Sequence, residues 1–363
     1  MSKETVVHVI TNFAGVGGAE MMLSRLIQQT QHQYHHVIIS LMKISDIYTD
    51  QLPESCKYWA LNWNGLNSVG VIFQLKQHLK KLQPKIIQCW MYHANVFTVL
   101  STLGMRNKPR IFWGIHHSLS SLKEESLSTK VALLLSKGLA QQPSAIIYCA
   151  HSSLKQHQEF GFNNANAHVI ANGISLEKFQ PNQQLHQPCV VGFAGRYHIA
   201  KGYSYLFATI AKLKDDPIIF KIAGSGANLN NPEIQSEFQR YQLDPKKVQL
   251  LDQVADMPEF YQSIDVFLMT SITEGFPNVL VEAMASGLPC ISTNVGDAQY
   301  IVQDFGTIVP PRDADALAAA ILKYMHLNTA QKMQLKYMAR QRVEQNFSIE
   351  NVSQQYMKVW ESP

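Results

Sequence analysis

The sequence has little charge, and its cysteines follow no pairing or metal-binding pattern. Charged residues make up 16% of the 363 residues and hydrophobic ones 46%, a balance typical of globular chains and not of disordered ones. The five cysteines are scattered, odd in number and never spaced as CxxC. This predicts reduced thiols in a cytosolic protein, and no metal-ligand spacing appears among the cysteines and the 14 histidines.

Long apolar runs are also lacking. The opening stretch, "MSKETVVHVI", has too short an apolar run for a signal peptide, and no later run approaches the length that spans a membrane. At 363 residues the chain is too long for one ordinary core, which predicts two domains.

The net charge of +4 is unevenly distributed. Residues 1–172 hold 15 Lys and Arg against 8 Asp and Glu, whereas residues 173–363 hold 16 against 19. The basic first half favours an anionic surface or substrate. Nucleic acid is not the predicted partner, because the chain has no Arg-rich run and no basic motif interleaved with aromatic residues.

Short β-branched runs alternate with longer helical stretches, which predicts parallel strands joined by crossover helices. The alternation restarts after a polar segment with two prolines, "NGISLEKFQPNQQLHQPC". The predicted fold class is therefore α/β, with two doubly wound Rossmann-like domains at residues 1–175 and 186–347. Ligands are expected in a cleft at the carboxyl ends of the strands. The predicted strands are "TVVHVIT", "HHVIISL", "PKIIQCW", "PRIFWGI", "SAIIYCA" and "HVIAN", then "CVVGFAG", "IIFKIAG", "VQLLD", "DVFLMTS", "PCISTN" and "GTIVP".

A glycine-rich turn follows the first strand, in "NFAGVGGAEMM". Gly17 and Gly18 would let the backbone approach a ligand, and the helix that begins there would offer N–H groups to an anion. Glu20 occupies the place of the last glycine of a dinucleotide fingerprint, which argues against NAD. A tight turn without a ligand explains the same glycines equally well.

The second half opens with "GFAGRYHIAKG". Gly195 and Arg196 end its first strand, and Lys201 follows in the same loop. A guanidinium fork and a mobile ammonium suit a diphosphate. The alternative is a pair of solvated surface charges, which is less expected among glycines.

Two acids bracket an apolar run in "SITEGFPNVLVEAMASG". Glu274 is expected in a strand-to-helix loop, where it can accept from a sugar hydroxyl, and Glu282 one turn inside the helix, where it can accept from a ribose. Pro277 fits the first helical turn. The free amides predicted to meet phosphate oxygens are those of Asn278, Val279 and Leu280.

Together, E-x7-E, G-R-x4-K-G and GGAE resemble motifs of the family 4 retaining glycosyltransferases of GT-B fold, from about Val6 to the C-terminus. "CWMYHAN", "FWGIHHS" and "NVGDAQ" resemble the subgroup that builds bacterial O-antigen and capsule repeat units. The resemblance implies a nucleotide-diphosphate sugar donor, an α-linked product with retained configuration, no metal and no cofactor. It also implies that a final helix, residues 348–363, crosses back onto the first domain.

The resemblance implies a role for each motif residue. Arg196 and Lys201 match the pair that stabilises the departing diphosphate, and Glu274 matches the acid at the donor sugar. Other matches are the ribose acid Glu282 and the loop of Gly17 and Gly18 near the phosphates. Gly195, beside Arg196, is a further residue predicted to bind the donor.

The family's histidine beside the transferred sugar falls on "GIHHS". The apolar alternation of the strand favours His117 over His116, and the alternative is a polar strand end without a role. His93 and His116 are candidates for the acceptor side.

Asp313 and Asp315 form a D-x-D pattern, which binds metal in transferases of another fold. Here they precede the Ala-rich helical stretch "ALAAAILKYM", where acids at a helix N-terminus are favoured by capping and by the dipole. Capping is therefore preferred over metal binding.

The predicted function is a retaining, metal-independent glycosyl transfer from UDP-galactose or UDP-N-acetylgalactosamine to an undecaprenyl-diphosphate-linked acceptor, with substitution on one face of the sugar. A GDP-mannose-dependent transferase is the alternative donor assignment. A nucleotide-sugar epimerase and a non-catalytic nucleotide-sugar binding protein are the rivals from other classes. The epimerase would convert its donor without an acceptor.

Such an enzyme would be cytoplasmic and would dock on the anionic inner face of the membrane. Lys123, Lys130 and Lys137 recur every seven residues beside the apolar run Val131 to Leu135, and "QLKQHLKKLQPK" adds four lysines to the same domain. An ordinary amphipathic helix packed on the sheet explains the apolar run equally well.

Overall fold

The computed structural model describes residues 3–15, 17–119, 122, 125–181 and 183–362. The chain forms two compact units, the first comprising Met1–Gly173 with Ile349–Pro363 and the second Ile174–Ser348. The continuous part of the first unit thus ends at Gly173, two residues before the domain end predicted at residue 175. The polar segment predicted as a linker lies almost wholly in the second unit.

The first unit is built on a seven-stranded sheet whose neighbouring strands pair in parallel, in the order β3-β2-β1-β4-β5-β6-β7. In register, Val6 lies opposite Ile86 and Ile86 opposite Arg110. Six of its strands were predicted, and the short third strand was missed. The strands are β1 (Glu4–Ile10), β2 (Tyr34–Ser40), β3 (Lys57–Ala60), β4 (Ile86–Trp90), β5 (Arg110–Ile115), β6 (Ala145–Tyr148) and β7 (Ala167–Val169).

Six helices in the described residues of this unit connect the strands and cover both faces of the sheet, as parallel sheets require. One core cluster joins α3, α4 and α5 to the sheet, and α1 contributes to a second cluster. The helices are α1 (Gly18–Thr30), α2 (Asp46–Thr49), α3 (Ser68–Leu82), α4 (Tyr92–Thr102), α5 (Leu127–Gly138) and α6 (His151–Phe160).

The second unit has a six-stranded parallel sheet in the order β10-β9-β8-β11-β12-β13, and all six strands were predicted. They are β8 (Cys189–Ala194), β9 (Ile218–Ala223), β10 (Val248–Asp252), β11 (Val266–Met269), β12 (Cys290–Thr293) and β13 (Thr307–Val309). The helices are α7 (Tyr203–Lys212), α8 (Pro232–Tyr241), α9 (Met257–Gln262), α10 (Asn278–Ala285), α11 (Ala298–Val302), α12 (Ala314–Met325) and α13 (Thr329–Asn346).

The last helix, α14 (Ile349–Glu361), belongs to the first unit, which confirms the predicted crossing. Its buried face repeats every four residues at Val352, Tyr356 and Trp360 and packs in the same cluster as α1. The Trp360 indole N–H donates to Gln88 Oε1 at 3.0 Å, so the helix is also tied to β4 by a buried hydrogen bond.

Strand order reverses beside the first strand of each sheet, between β1 and β4 in the first unit and between β8 and β11 in the second. Ligands of open α/β sheets bind outside the carboxyl ends of the strands at such a point. The loops after β1, β4 and β5, and those after β8 and β11, are therefore where functional residues are expected.

The five cysteines are free thiols, as predicted, and four of them are buried. Burial raises the pKa of Cys56 and Cys89 to about 12, which keeps both as protonated core residues. No helix in the described part of the chain is both long and apolar enough to cross a membrane.

Candidate functional site

In the second unit, a lysine and a glutamate meet where β8 and β11 end. Lys201 Nζ donates to Glu274 Oε1 at 2.6 Å, and the Ser271 hydroxyl donates to the same oxygen at 2.7 Å. The two charged side chains are only 23% and 13% exposed. At this burial the charge-assisted bond is screened less than a surface pair. The sequence assigned both residues but not their contact.

Glycine at position 202 allows the Lys201 loop to lie against the end of β11. Gly202 has a φ of +67°, which L-residues rarely adopt, and a Cβ built there would lie 2.0 Å from the Thr270 carbonyl oxygen. The Thr270 hydroxyl donates to the carbonyl oxygen of Lys201 at 2.9 Å. These backbone contacts fix where the Lys201 side chain starts.

Arg196 directly follows Gly195 in the loop after β8. Its side chain is exposed and makes no hydrogen bond or ion pair with any residue that the structure describes. The arginine is thus an exposed cation in the same loop as the lysine held by Glu274, and it can turn towards an anion without breaking a contact.

A second glycine supports the Glu274 loop from β12. Gly296 has a φ of +54°, and a Cβ there would lie 2.2 Å from the Gly275 carbonyl oxygen, which also accepts from the Asp297 N–H at 3.0 Å. In the sequence, "NVGDAQ" carried only a subgroup resemblance, and this supporting role of Gly296 was not predicted. A glycine and an acid following a buried strand were the available signal.

Helix α10 begins at Asn278, the first residue of the predicted helical stretch "NVLVEAMASG", and Pro277 lies at the N-cap rather than in the first turn, with no side-chain cap. The Leu280 N–H donates to the Pro277 carbonyl oxygen at 3.1 Å. The prediction that Leu280 offers a free amide to a phosphate is therefore wrong for this structure. The first turn of α10 therefore has a hydrogen bond between residues three apart, as in a 3₁₀-helix, and the sequence spacing does not reveal this.

Glu282 lies one turn inside α10, as predicted, and is half-buried. The hydroxyl of Tyr261 donates to Glu282 Oε2 at 3.1 Å. Burial raises the pKa of this fully buried tyrosine, and the neighbouring carboxylate adds to the shift. Tyr261 therefore donates as a neutral phenol and orients the carboxylate, a role that the sequence analysis missed.

In the first unit, the carboxyl group of Glu20, in the first turn of α1, lies against the glycine-rich turn. Gly17 precedes the first residue of α1, and a Cβ at this position would lie 2.5 Å from Glu20 Oε2. Burial raises the pKa of Glu20. In the sequence, Glu20 was only a departure from a dinucleotide fingerprint, yet its carboxyl group lies over Gly17.

A cavity of about 250 Å³ opens at the carboxyl ends of β1, β4 and β5. Besides Tyr92, seven of its ten lining residues carry polar side chains: two carboxyl groups, two imidazoles, an amide and two hydroxyls. Such a set of donors and acceptors can bind a hydroxyl-rich ligand. These polar residues are Thr11, Asn12, Glu20, His93, His117, Glu125 and Thr129.

The structure separates the two candidate histidines after β5. His117 lines the cavity, and its Nε2 lies 2.8 Å from Glu125 Oε1. His116 instead stacks on Trp90 with ring centroids 5.1 Å apart, and its Nδ1 lies 3.0 Å from Asn172 Oδ1. Burial lowers the pKa of His116 to about 4, so its ring is neutral.

His93 follows β4 and lines the same cavity. Its Nε2 lies 2.9 Å from Ser128 Oγ, and its ring packs 4.9 Å from that of Trp63. Burial lowers the pKa of His93, so this imidazole is neutral as well. Of the two acceptor-side candidates, the structure brings His93 to the cavity lining, whereas His116 lies outside it.

The D-x-D aspartates act at the start of α12. Asp313 Oδ1 accepts from the Ala316 N–H at 2.9 Å, and Asp315 lies 2.6 Å from Lys212 Nζ. The capping prediction is confirmed. Among the residues that the structure describes, no three His, Cys, Asp or Glu side chains converge as metal ligands.

Two family models match the chain in succession. The model of "Glycosyltransferase Family 4" matches residues 16–178, and that of "Glycosyl transferases group 1" matches residues 188–326. The chain therefore belongs to the group 1 and family 4 glycosyltransferases.

Curated relatives are similar over parts of their length. The chain is 27% identical over 313 residues to the "UDP-Gal:alpha-D-GlcNAc-diphosphoundecaprenol alpha-1,3-galactosyltransferase" of Escherichia coli, with 78% of each chain covered. It is 36% identical over 135 residues to the "Putative glycosyltransferase EpsF" of Bacillus subtilis, covering 34% of this chain and 35% of that protein. Other curated relatives are matched over about half of their length.

Among solved structures, HepE of Anabaena in complex with UDP and glucose superimposes with a TM-score of 0.82. The similarity covers 99% of this chain and 100% of that one, at 19% identity. At this identity the likeness concerns the fold alone, and it confirms the predicted GT-B architecture of two Rossmann-like units.

Proposed function

We propose that the protein is a retaining glycosyltransferase that moves a sugar from a UDP-sugar to a lipid-linked glycan during assembly of a bacterial surface polysaccharide. Family membership supports the reaction class. The observation that carries the proposal is the ion pair of Lys201 with Glu274. Lys201 lies in the same loop as Arg196. The ion pair brings a cation for a diphosphate and an acceptor for a sugar hydroxyl together at the ends of the neighbouring strands β8 and β11.

The proposed chemistry depends on charge that develops as the sugar–phosphate bond breaks. Negative charge grows on the diphosphate, where Lys201 and Arg196 stabilise it, and positive charge grows on the sugar ring. The start of α10, with Asn278 and Val279, adds the positive end of a helix dipole. Cationic side chains thus supply the stabilisation that a metal supplies elsewhere, which supports a metal-independent reaction.

On donor binding, Lys201 and Glu274 would each contact a different part of the donor. We assign the Lys201 ammonium to the diphosphate and the Glu274 carboxylate to a hydroxyl of the transferred sugar. Glu282, oriented by the Tyr261 hydroxyl 3.1 Å away, would accept from the ribose. The Gly17–Gly18 turn and Gly195 would allow backbone to approach the donor closely.

We assign His117 the positioning of the transferred sugar and not the role of a nucleophile. Its Nε2 is engaged by Glu125 at 2.8 Å, which orients the ring in the cavity. Retention would follow from substitution on one face of the sugar, with the leaving phosphate assisting removal of the acceptor proton. His93 would contact the acceptor, since it lines the same cavity.

For the donor we propose UDP-galactose or UDP-N-acetylgalactosamine, and for the acceptor a sugar on undecaprenyl diphosphate. The name of the Escherichia coli relative, which specifies UDP-Gal and a diphosphoundecaprenol acceptor, supports both. GDP-mannose is the second donor candidate. An epimerase, or a protein that only binds nucleotide sugars, would not need an acceptor at all.

We further propose that the protein works in the cytoplasm on the inner face of the membrane. Helix α5 exposes Leu127, Val131, Leu134 and Leu135 at 78%, 48%, 59% and 50%. An exposed apolar stripe of this length is more than a core helix requires. Such a surface would bring the enzyme to a lipid-linked acceptor.

Calorimetric titration with UDP in the presence of EDTA tests the donor site. The native protein is expected to bind UDP without metal, and Lys201→Ala or Arg196→Ala to weaken binding about tenfold or more, because each loses a charge-assisted contact. Lys214→Ala, an exposed lysine of the same unit, is the matched control and should bind normally. If Lys201→Ala, Arg196→Ala and the control bind UDP with equal affinity, the assignment of Lys201 and Arg196 to the diphosphate is wrong.

A further inference from the structure

A large basic cavity lies at the amino ends of β4 and β5. Its volume is about 760 Å³, and it is formed by the α3–β4 and α4–β5 connections. No acidic residue belongs to its lining, whereas five cationic side chains do. We name it the basic pocket and define it by these five cations: Lys80, Lys85, Arg106, Lys108 and Arg110.

Most of this positive charge is uncompensated. Lys85 lies 3.6 Å from Glu4 Oε1 in an exposed pair, and Arg110 donates to the carbonyl oxygen of Ser362. Lys80, Arg106 and Lys108 are exposed and make no hydrogen bond or ion pair with any residue in the described ranges. Three unpaired cations around one concave space repel each other, and an anion would relieve that repulsion.

The basic pocket is separate from both sites described above. It lies where β4 and β5 begin, while His93 and His117 follow the ends of the same strands. Strands of five and six residues place these two edges of the sheet roughly 15–20 Å apart. The donor cations Arg196 and Lys201 belong to the second unit.

We propose that the basic pocket binds a multiply charged phosphoryl anion of the diphosphate class. Two arginines can each bind phosphate oxygens through a planar fork, and three lysines add point charges. A single carboxylate would leave most of the five cations uncompensated. A pocket of this volume also accommodates a diphosphate with an attached group. The proposal does not depend on the proposed function.

Binding of inorganic pyrophosphate to the full chain tests the proposal. The titration is run with UDP at saturation, so that a donor site in the second unit is occupied. We expect pyrophosphate to bind, to weaken as salt is added, and to bind at least about tenfold more weakly to Arg106→Glu, Lys108→Glu and Lys80→Glu. Lys57→Glu, an exposed lysine on edge strand β3 of the same unit, makes the same charge change away from the pocket and should bind normally.

The three pocket variants change exposed side chains on two separate segments, so their folds should survive, which circular dichroism checks. Arg196→Ala and Lys201→Ala should leave pyrophosphate binding in this titration unchanged. If UDP fails to bind, the proposed function falls while the pocket variants still test this inference. No pyrophosphate binding, or binding that ignores all three glutamate changes, overturns it.

The source of the phosphoryl group is decided with vesicles. Phosphatidylcholine vesicles with and without phosphatidylglycerol are sedimented with the protein, in the presence and absence of pyrophosphate. Binding that needs phosphatidylglycerol, falls in Arg106→Glu and is displaced by pyrophosphate identifies a lipid headgroup. Pyrophosphate binding without that vesicle binding identifies a soluble compound, and either result supports the site.

Discussion

Two carboxylates of the second unit differ in the groups that hold them. Glu274 accepts from the Lys201 ammonium at 2.6 Å and from the Ser271 hydroxyl, whereas Glu282 accepts from the neutral Tyr261 hydroxyl. Removing the charge of Glu274 would free the Lys201 ammonium, while removing that of Glu282 would weaken its bond from the Tyr261 hydroxyl. The two residues should therefore respond differently to the same substitution.

We predict that Glu282→Gln weakens UDP binding about tenfold, because an amide is neutral and replaces one of the two acceptor oxygens of the carboxylate with an NH₂ donor. Glu274→Gln should keep UDP affinity at or above the native level, since Lys201 is released towards the diphosphate, and should lose most of its transfer rate. Calorimetry with UDP and a turnover assay measure both, with exposed Glu177→Gln as control. If Glu274→Gln loses as much UDP affinity as Glu282→Gln, the two roles are misassigned.

Single residues at the strand ends were predictable, and their contacts were not. Sequence spacing identified Lys201 and Glu274, which are 73 positions apart, but their pairing depends on β8 lying beside β11. Glu125 beside His117 and Tyr261 beside Glu282 were missed for a related reason. Neither lies in a recognised motif, and only packing brings each to its partner.

At the scale of elements, burial on both faces made most strands predictable. Every residue of β4 and β11 is buried, and such β-branched and apolar runs are the expected signature of parallel sheets. Strand β3, "KYWA", was missed because it is a four-residue edge strand with three exposed residues and no β-branched residue. Helix α10 begins at Asn278 as predicted, while Pro277, expected in the first turn, is the capping residue.

The sequence left open whether the apolar run of helix α5 packs in the core or faces the surface. Ala132, Leu133 and Ser136 are buried, while Val131, Leu134 and Leu135 are about half exposed. The apolar run is thus divided between core and surface. Of the three lysines in the docking hypothesis, Lys123 lies outside the described residues, and Lys137 lies over the Phe160 ring at 5.2 Å.

We predict that this face of α5 docks on anionic vesicles. Co-sedimentation at low salt should retain the native protein, and Leu134→Ser with Leu135→Ser should reduce the bound fraction severalfold by removing apolar contact. Lys130→Glu should weaken binding more at low salt than at high salt. Leu229→Ser, an equally exposed leucine of the second unit at 44%, is the control. Native protein left in the supernatant at low salt refutes docking by α5.

At the scale of the whole molecule, the repeated alternation of strands and helices predicted both units. Each has its own parallel sheet, and each sheet reverses its strand order beside its first strand. The candidate residues follow strands adjacent to these points, where helix starts and loop glycines are concentrated. The charge asymmetry pointed to the first unit as a binder of anions, and the basic pocket gives that asymmetry a location.

Transfer of labelled sugar to a lipid-diphosphate acceptor tests the central claim most directly. The protein is incubated in EDTA with radiolabelled nucleotide sugars, including UDP-galactose, UDP-N-acetylgalactosamine and GDP-mannose, with and without an undecaprenyl-diphosphate-linked sugar. We predict that label from a UDP-sugar enters the lipid phase only with the acceptor, that Lys201→Ala lowers this rate by about two orders of magnitude, and that NMR shows an α-linkage. Conversion of a donor without acceptor, or no transfer from any nucleotide sugar, would contradict the account.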